Sequence, residues 1–134
     1  MSEKSLWAQR SIGIKLWGFE KDPYEISKTL KVLCDPVAKG EPHGSKSIFK
    51  ENQLHVLKLI SEDESWDESL NDLVAALGGV AGIQEMVKSI QPKNYFVVIN
   101  IPTTDAWCGN GNHLSKETIE TLHKLNTNVS LNYF

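Results

Sequence analysis

Five carboxylates surround one tryptophan within seven residues, and this stretch is the first candidate for chemistry. Its members are Glu62, Asp63, Glu64, Trp66, Asp67 and Glu68. The helix dipole stabilises carboxylates in the first turn of a helix by about 0.3–1 kcal/mol each, so the stretch fits a solvated helix start. It also fits a binding surface, because carboxylates at a rim attract a basic partner while a central aromatic side chain supplies apolar contact. Both interpretations stay open.

A polar loop over residues 103–115 is the second candidate, because it follows a predicted strand and precedes a predicted helix. Backbone N–H groups at such a place can bind an anion. The candidate ligand residues are Asp105, Trp107, Cys108, Asn110 and His113. Leu114 stands where a dinucleotide fingerprint has its third glycine, and no Lys-Ser or Lys-Thr pair makes a phosphate loop. The loop is therefore either a small-ligand site or a connection whose Gly and Asn residues adopt left-handed conformations.

Cysteine and histidine side chains form the third candidate group, with one aspartate. The set is Cys34, His43, His55, Asp105, Cys108, His113 and His123. A structural zinc site needs ligands in paired short spacings, and Cys108 with His113 has no second pair, so we predict no metal and no cofactor. A nucleophile pair of Cys108 with His113 or His123 stays open, but a loop thiol fits Cys108 better. His55 lies in an apolar strand, so we predict a sheet residue whose ring nitrogens are hydrogen-bonded within the fold. With no complete catalytic set, we also predict that the protein is not an enzyme.

Composition limits what kind of protein this is. The length of 134 residues and the hydrophobic content of 40% predict a single domain over residues 1–134. The formal net charge of −3 does not supply the positive surface that binds nucleic acid without sequence preference. We find no leader pattern and no apolar run of about 20 residues, so we expect a cytoplasmic protein that does not bind membranes. The two cysteines do not form a CxxC, so we expect reduced thiols.

Apolar alternation predicts the strands that must position these groups. The strands are expected over about residues 11–19, 54–60, 95–101 and 128–134. We expect Ile14, Leu57, Val97 and Leu131 to lie in one sheet that has the main helices against it, and to be core positions. The segment 38–49, which contains Gly40 and Pro42, is expected to be a loop or a short edge strand.

Helical spacing and capping residues predict the helices. Asp22 is expected to cap a helix whose apolar stripe reaches Leu33 and which ends before Pro36. Ser65 is expected to cap the helix of the acidic stretch, and Ser115 a short helix near the C-terminus. The order of elements predicts an α+β fold, a ferredoxin-like sheet (βαββαβ) with an added C-terminal helix and strand.

Several strings together resemble one bacterial family of uncharacterised domains, catalogued as domain of unknown function 4279. The strings are GF-x-x-DP-x-EI-x-x-x-L from Gly18, KGEP from Lys39, WDESL from Trp66 and G-x-G-x-x-LS-x-E-x-I from Gly109. The similarity spans nearly the whole chain, and members of the family resemble immunity proteins encoded beside secreted bacterial toxins. The chain departs from the family pattern in the second strand, where Leu54 and His55 stand in place of an aromatic residue.

The resemblance implies a non-enzymatic binding protein, an immunity protein that neutralises a cognate toxin by occlusion. The acidic stretch is then the expected contact, since a toxin that cuts nucleic acid, a basic nuclease, carries positive charge around its active site. The alternative function is a small-ligand-binding or enzymatic domain that uses the 103–115 loop. We expect a monomer or a weak dimer.

Overall fold

The computed structural model describes residues 9–61, 63–102 and 114–133, which form a mixed α+β fold. The strands are β1 (Ser11–Trp17), β2 (Leu33–Val37), β3 (Pro42–His43), β4 (Ser47–Ile48), β5 (Gln53–Leu59), β6 (Asn94–Ile101) and β7 (Asn128–Tyr133). The helices are α1 (Pro23–Thr29), α2 (Trp66–Ala76), α3 (Gly79–Ile90) and α4 (Lys116–Lys124).

Five strands form one mixed sheet in the order β2-β5-β1-β6-β7, and β3 and β4 form a separate hairpin. The central strand β1 is antiparallel to both of its neighbours, β5 and β6. At one edge β2 is antiparallel to β5, and at the other β7 runs parallel to β6. Parallel neighbours need a crossover connection, and α4 lies in the connection between β6 and β7.

The two sides of the sheet differ in what covers them. On one side, Ile12, Ile14 and Leu16 of β1 are at most 1% exposed and belong to the core. The helices contribute Trp66, Leu70, Leu73, Val74, Ile83, Ile90, Leu122 and Leu125 to this core. Successive side chains of a strand point to opposite sides, so Lys15 and Trp17 lie on the side away from these helices. We call that side the far side of the sheet.

The three predicted capping residues stand at the starts of their helices. Asp22, Ser65 and Ser115 each accept a hydrogen bond from a backbone N–H of the first turn, at 2.9, 3.0 and 3.2 Å. These side chains satisfy donors that a helix start otherwise leaves unpaired. Gly78 has a φ of 91° and separates α2 from α3, because glycine adopts the left-handed conformation without steric cost.

Two expectations at the sheet edges are wrong. Leu33 does not continue α1 but begins β2, where it is 43% exposed. For the segment 38–49 the loop alternative is the better description, since it contains only the short β3–β4 hairpin and the edge strand is β2, where Pro36 is tolerated because an edge strand needs no outward donor. Leu131 lies in the sheet as predicted, yet it is 52% exposed and not a core position, because β7 is the other edge strand.

Within the described ranges, no single helix is both long and apolar enough to cross a membrane. The pair α2 and α3 meets the length and composition criteria only when joined, and the two helices are bent by 60° at their junction.

Candidate functional site

The acidic stretch connects β5 to α2 and forms the first turn of that helix, but its tryptophan does not face solvent. Trp66 is 2% exposed and lies in the core, so the prediction of an aromatic anchor on the surface is wrong at this position. As the first residue of α2, Trp66 lies on the helix face that packs toward the sheet, and the Arg10 guanidinium covers its ring at 4.3 Å. Glu62 lies outside the described residues.

Two carboxylates of the stretch are engaged in holding the fold. Glu64 accepts from the Lys58 ammonium at 2.6 Å and from the Ser61 hydroxyl at 2.9 Å. These hydrogen bonds lower the pKa of Glu64 to about 2, with the one from Lys58 contributing most. Asp67 accepts from the backbone N–H of Ser115 at 2.9 Å, which ties the start of α2 to the start of α4. This part of the stretch therefore has a structural role.

Other carboxylates point outward. Asp63, Glu68 and Asp72 are all exposed. The Ser61 hydroxyl lies 2.7 Å from Asp63 as well as 2.9 Å from Glu64, so these two carboxylates share its single proton at the turn before α2. Glu68 and Asp72 are four residues apart on α2, so they lie on the same side of the helix. Among the described residues of the acidic stretch and α2, the exposed carboxylates are thus those of residues 63, 68 and 72.

An apolar groove of about 420 Å³ lies beside Asp72, between α2 and the β2–β5 edge of the sheet. Its lining includes Leu33 and Leu59, which are 43% and 38% exposed. The register explains the groove, because β2 pairs with β5 only as far as Leu57 and leaves Leu59 beyond its end. We call this feature the sheet-edge groove.

Sequence reasoning missed the sheet-edge groove for an identifiable reason. It assigned Leu33 to the buried stripe of a helix, although that residue begins the edge strand. The sequence shows that Leu57 and Leu59 alternate with polar residues. It does not show that their burial differs, with Leu57 1% exposed and Leu59 38% exposed. Pro36 disfavours a helical conformation only at Asp35, so it does not signal that α1 already ends at Thr29.

A second group of polar residues lies on the far side of the sheet. Cross-strand pairing puts Asp35 opposite His55, His55 opposite Lys15, and Lys15 opposite Phe96. Beside this row is a depression of about 270 Å³, which we call the sheet-face depression. Its lining is Lys15, His55, Phe96, Val98, Asn100, Ser130 and Asn132.

Amide and hydroxyl groups make an ordered polar network at one end of the sheet-face depression. The Asn100 side-chain amide donates to the Ser11 hydroxyl at 2.9 Å, and both residues are buried. The Asn132 amide donates to the Asn100 side-chain oxygen at 3.1 Å. Asn100 is therefore held in a single orientation by partners on β1 and β7.

His55 does not match its prediction as a satisfied sheet residue. Its Nε2 atom is buried and has no hydrogen-bond partner in the described part of the chain. Burial, together with the nearby Lys15 charge, lowers the pKa of His55 to about 4, so the imidazole is neutral at pH 7. Burial also raises the pKa of Asp35 above its usual value, an effect that Lys15 opposes.

The remaining histidines and cysteine are scattered. His43 stacks on Phe49 in the β3–β4 hairpin at 4.3 Å between ring centroids, and His123 is exposed on α4. Cys34 is half-buried in β2, and burial raises the pKa of its thiol. Among the residues whose structure is described, no three His, Cys, Asp or Glu side chains are placed to hold a metal ion.

The 103–115 loop candidates lie beyond what the structure describes. They are Asp105, Trp107, Cys108, Asn110 and His113. A ligand site in this loop, or a nucleophile pair that includes Cys108, therefore stays a prediction.

Comparison with known proteins adds no relative. No protein-family model matches the chain, and neither a curated protein nor a solved structure matches it significantly. The resemblance to the bacterial family named above therefore stays a prediction that rests on the quoted strings of residues.

Proposed function

We propose that this chain is a non-enzymatic binding protein, and specifically an immunity protein that neutralises a cognate bacterial toxin by occlusion. The observation that carries the proposal is the sheet-edge groove, together with the exposed carboxylates of α2, the helix that forms one of its walls. Leu33 and Leu59 supply exposed apolar surface in the groove, and Asp72 borders it. An apolar centre with a charged rim is the arrangement by which proteins bind other proteins.

The apolar part of the contact would supply affinity. Burying the exposed portions of Leu33 and Leu59 contributes about 1–2 kcal/mol. A specific interface buries about 800 Å² on each partner, so the groove would form only its centre. The exposed carboxylates on α2 and on the turn before it would then lie at the rim.

The charges favour a basic partner. Lys58 also lines the groove, but its ammonium is paired with Glu64 at 2.6 Å, so its positive charge is largely compensated. The other charged residue that lines the groove is Asp72, and Glu68, one turn before it on α2, is an exposed carboxylate; neither takes part in an ion pair among the described residues. Opposite charge on a toxin would speed association in a salt-dependent way, and a basic nuclease is one toxin with such a surface.

We further propose a ferredoxin-like sheet with an added C-terminal helix and strand. The strands β1, β2, β5 and β6 are neighbours in one antiparallel array, as four strands of a βαββαβ unit are, and this supports the proposal. In this assignment α4 and β7 are the addition, and the β3–β4 hairpin and α3 are insertions. The proposed activity takes place in the cytoplasm, where an immunity protein meets its toxin, with the chain as a monomer or a weak dimer.

A charge-reversal experiment tests the proposed contact. The variant replaces Asp63, Glu68 and Asp72 with Lys, and it spares Glu64 and Asp67 because these two hold the fold. The variant is produced together with a toxin encoded beside this gene, and cell survival and complex formation are measured. We expect lost protection and association slowed at least about tenfold at low salt.

The matched control reverses three other exposed carboxylates, Glu20, Glu85 and Glu120, and so changes net charge equally. It should protect cells as the wild type does. Full protection by the folded Asp63, Glu68 and Asp72 variant would remove this surface as the contact. A genome with no toxin gene beside this one would count against the immunity function itself.

A further inference from the structure

Gly13 lies in the middle of the central strand, where a glycine is needed because there is no room for a side chain, not because of an unusual backbone conformation. Its φ is not among the positive values of the chain. A Cβ at this position would lie 2.6 Å from His55 Nε2 and 2.5 Å from the Val56 carbonyl oxygen. A glycine inside a strand often marks a close approach of a ligand or another group to the backbone. Here it lets the imidazole lie against β1 at the side of the sheet-face depression.

The nitrogen placed there is left unpaired. His55 Nε2 is buried, and no described residue forms a hydrogen bond with it. Buried polar atoms in proteins nearly always have a partner, and the exceptions call for an explanation such as a missing ligand. Because Nε2 is enclosed against the Gly13 backbone, the imidazole serves the depression as a fixed part of its wall.

A positive charge lies beside that nitrogen. Lys15 lines the same depression, and none of the ion pairs among the described residues includes it. The carboxylate nearest along the row is Asp35, which is on the far side of His55 and whose ionised form is disfavoured by burial. Lys15 is therefore available to an anionic group that enters the depression.

The rest of the lining is apolar on one wall and polar at one end. Phe96 and Val98 of β6 form the apolar wall, and a flat ring can pack against the face or edge of a phenyl group. Asn132 is exposed at the polar end and is oriented by Asn100. A volume of about 270 Å³ is just below the usual range for ligand pockets, about 300–1,000 Å³, which limits the occupant to one ring.

We propose that the sheet-face depression is a binding site for a small monocyclic aromatic carboxylate. The ligand carboxylate accepts a hydrogen bond from the Lys15 ammonium, the ring packs against Phe96 and Val98, and the His55 ring forms part of the wall. The site shares no lining residue with the sheet-edge groove, so it does not depend on the proposed immunity function.

Titration of the full ¹⁵N-labelled chain with benzoate tests this site by amide chemical shifts. We expect saturable shifts at Lys15, Phe96 and Val98 with a Kd of about 1 mM or lower, within reach of a ligand of this size. Benzamide keeps the ring and volume but lacks the charge, and it should bind at least about tenfold more weakly. Because this comparison uses the wild-type protein, it does not depend on the folding of a variant.

A substitution then tests whether Lys15 supplies the positive charge that binds the carboxylate. Lys15→Gln should weaken benzoate binding at least about tenfold, whereas Lys46→Gln removes an equal charge at an exposed turn and should change the Kd less than about twofold. The proposal is overturned if benzoate gives no saturable shift, if the shifts cluster away from the depression, or if benzamide or the Lys15→Gln protein binds equally well.

Discussion

At the scale of single residues, protonation and hydrogen bonding depend on what lies across the sheet or one turn away. His55 has Lys15 as its cross-strand neighbour and Gly13 beneath its ring, so it is both buried and beside a positive charge. Both conditions disfavour the imidazolium. Ser65 depends instead on a neighbour three residues along the chain, the backbone N–H of Glu68.

Because the fold lowers the pKa of His55, we expect the free energy of unfolding to fall in mild acid. Its pKa is about 4 in the fold and 6.5 as the reference value, so between these values the unfolded chain binds more protons. Stability from this residue is therefore complete above pH 6.5 and falls as the pH decreases toward 4, by about 2 kcal/mol between pH 7 and pH 5. Denaturant unfolding of the wild type and of His55→Gln at both pH values measures it.

The difference between pH 7 and pH 5 should shrink in His55→Gln. His123→Gln, at an exposed position on α4, is the matched control and should keep the wild-type difference. An equal pH dependence in wild type and His55→Gln would show that the imidazole is not held neutral by the fold.

The Ser65→Ala substitution removes the N-terminal cap of α2. The hydroxyl accepts the Glu68 N–H at 3.0 Å, and removing it should lower the free energy of unfolding by about 0.5–2 kcal/mol without a change in circular dichroism. Ser45→Ala, at an exposed turn, is the control. A midpoint of unfolding equal to that of the wild type would contradict the capping role.

At the scale of elements, the position of a strand in the sheet decides what its apolar residues do. β1 has a strand on each side, and its residues Ile12, Ile14 and Leu16 are covered by helices. β7 has a strand on one side only, and Val129, Leu131 and Tyr133 are 38%, 52% and 58% exposed. Both strands carry the same alternation, so the difference comes from strand order.

Truncation of equivalent positions in the two strands tests this difference. Ile14→Ala should cost about 2–5 kcal/mol, because Ile14 is 1% exposed in the core. Leu131→Ala should cost less than about 1 kcal/mol, because the side chain is half exposed already. Chemical denaturation of both variants gives the two values, and similar costs would mean that β7 is covered in solution.

At the scale of the whole molecule, stability should be graded from the centre of the sheet outward. The backbone of β1 pairs with both β5 and β6, whereas the β3–β4 hairpin is outside the main sheet. Segments with few buried contacts open locally at a lower free energy than the core.

Native-state hydrogen exchange should therefore follow the strand order. Amides of β1 that bond to a neighbouring strand should exchange at least about 100-fold more slowly than those of β3 and β4, with β7 between them. Exchange measured by NMR on the full chain gives the ranking. Equal protection of β1 and β7 would contradict a graded opening from the edge.

The candidate sites were only partly predictable from the sequence. The acidic stretch was found as a run of carboxylates, but the burial of Trp66 and the ties made by Glu64 and Asp67 follow from β5 and α4 packing beside it. The row that includes Lys15 and His55 was not predicted, because these residues are 40 positions apart and meet only through the register of β1 and β5.

The sequence by itself determined the features that depend on neighbours along the chain. These are the alternation of β1, the caps at Asp22, Ser65 and Ser115, and the break at Gly78, which follow from covalent geometry and hydrogen bonds within one turn. The tertiary structure alone decided which alternating faces are covered and which residues meet across strands. The physical reason is that burial and cross-strand contact depend on strand order and register, and these arise from packing between segments distant in sequence.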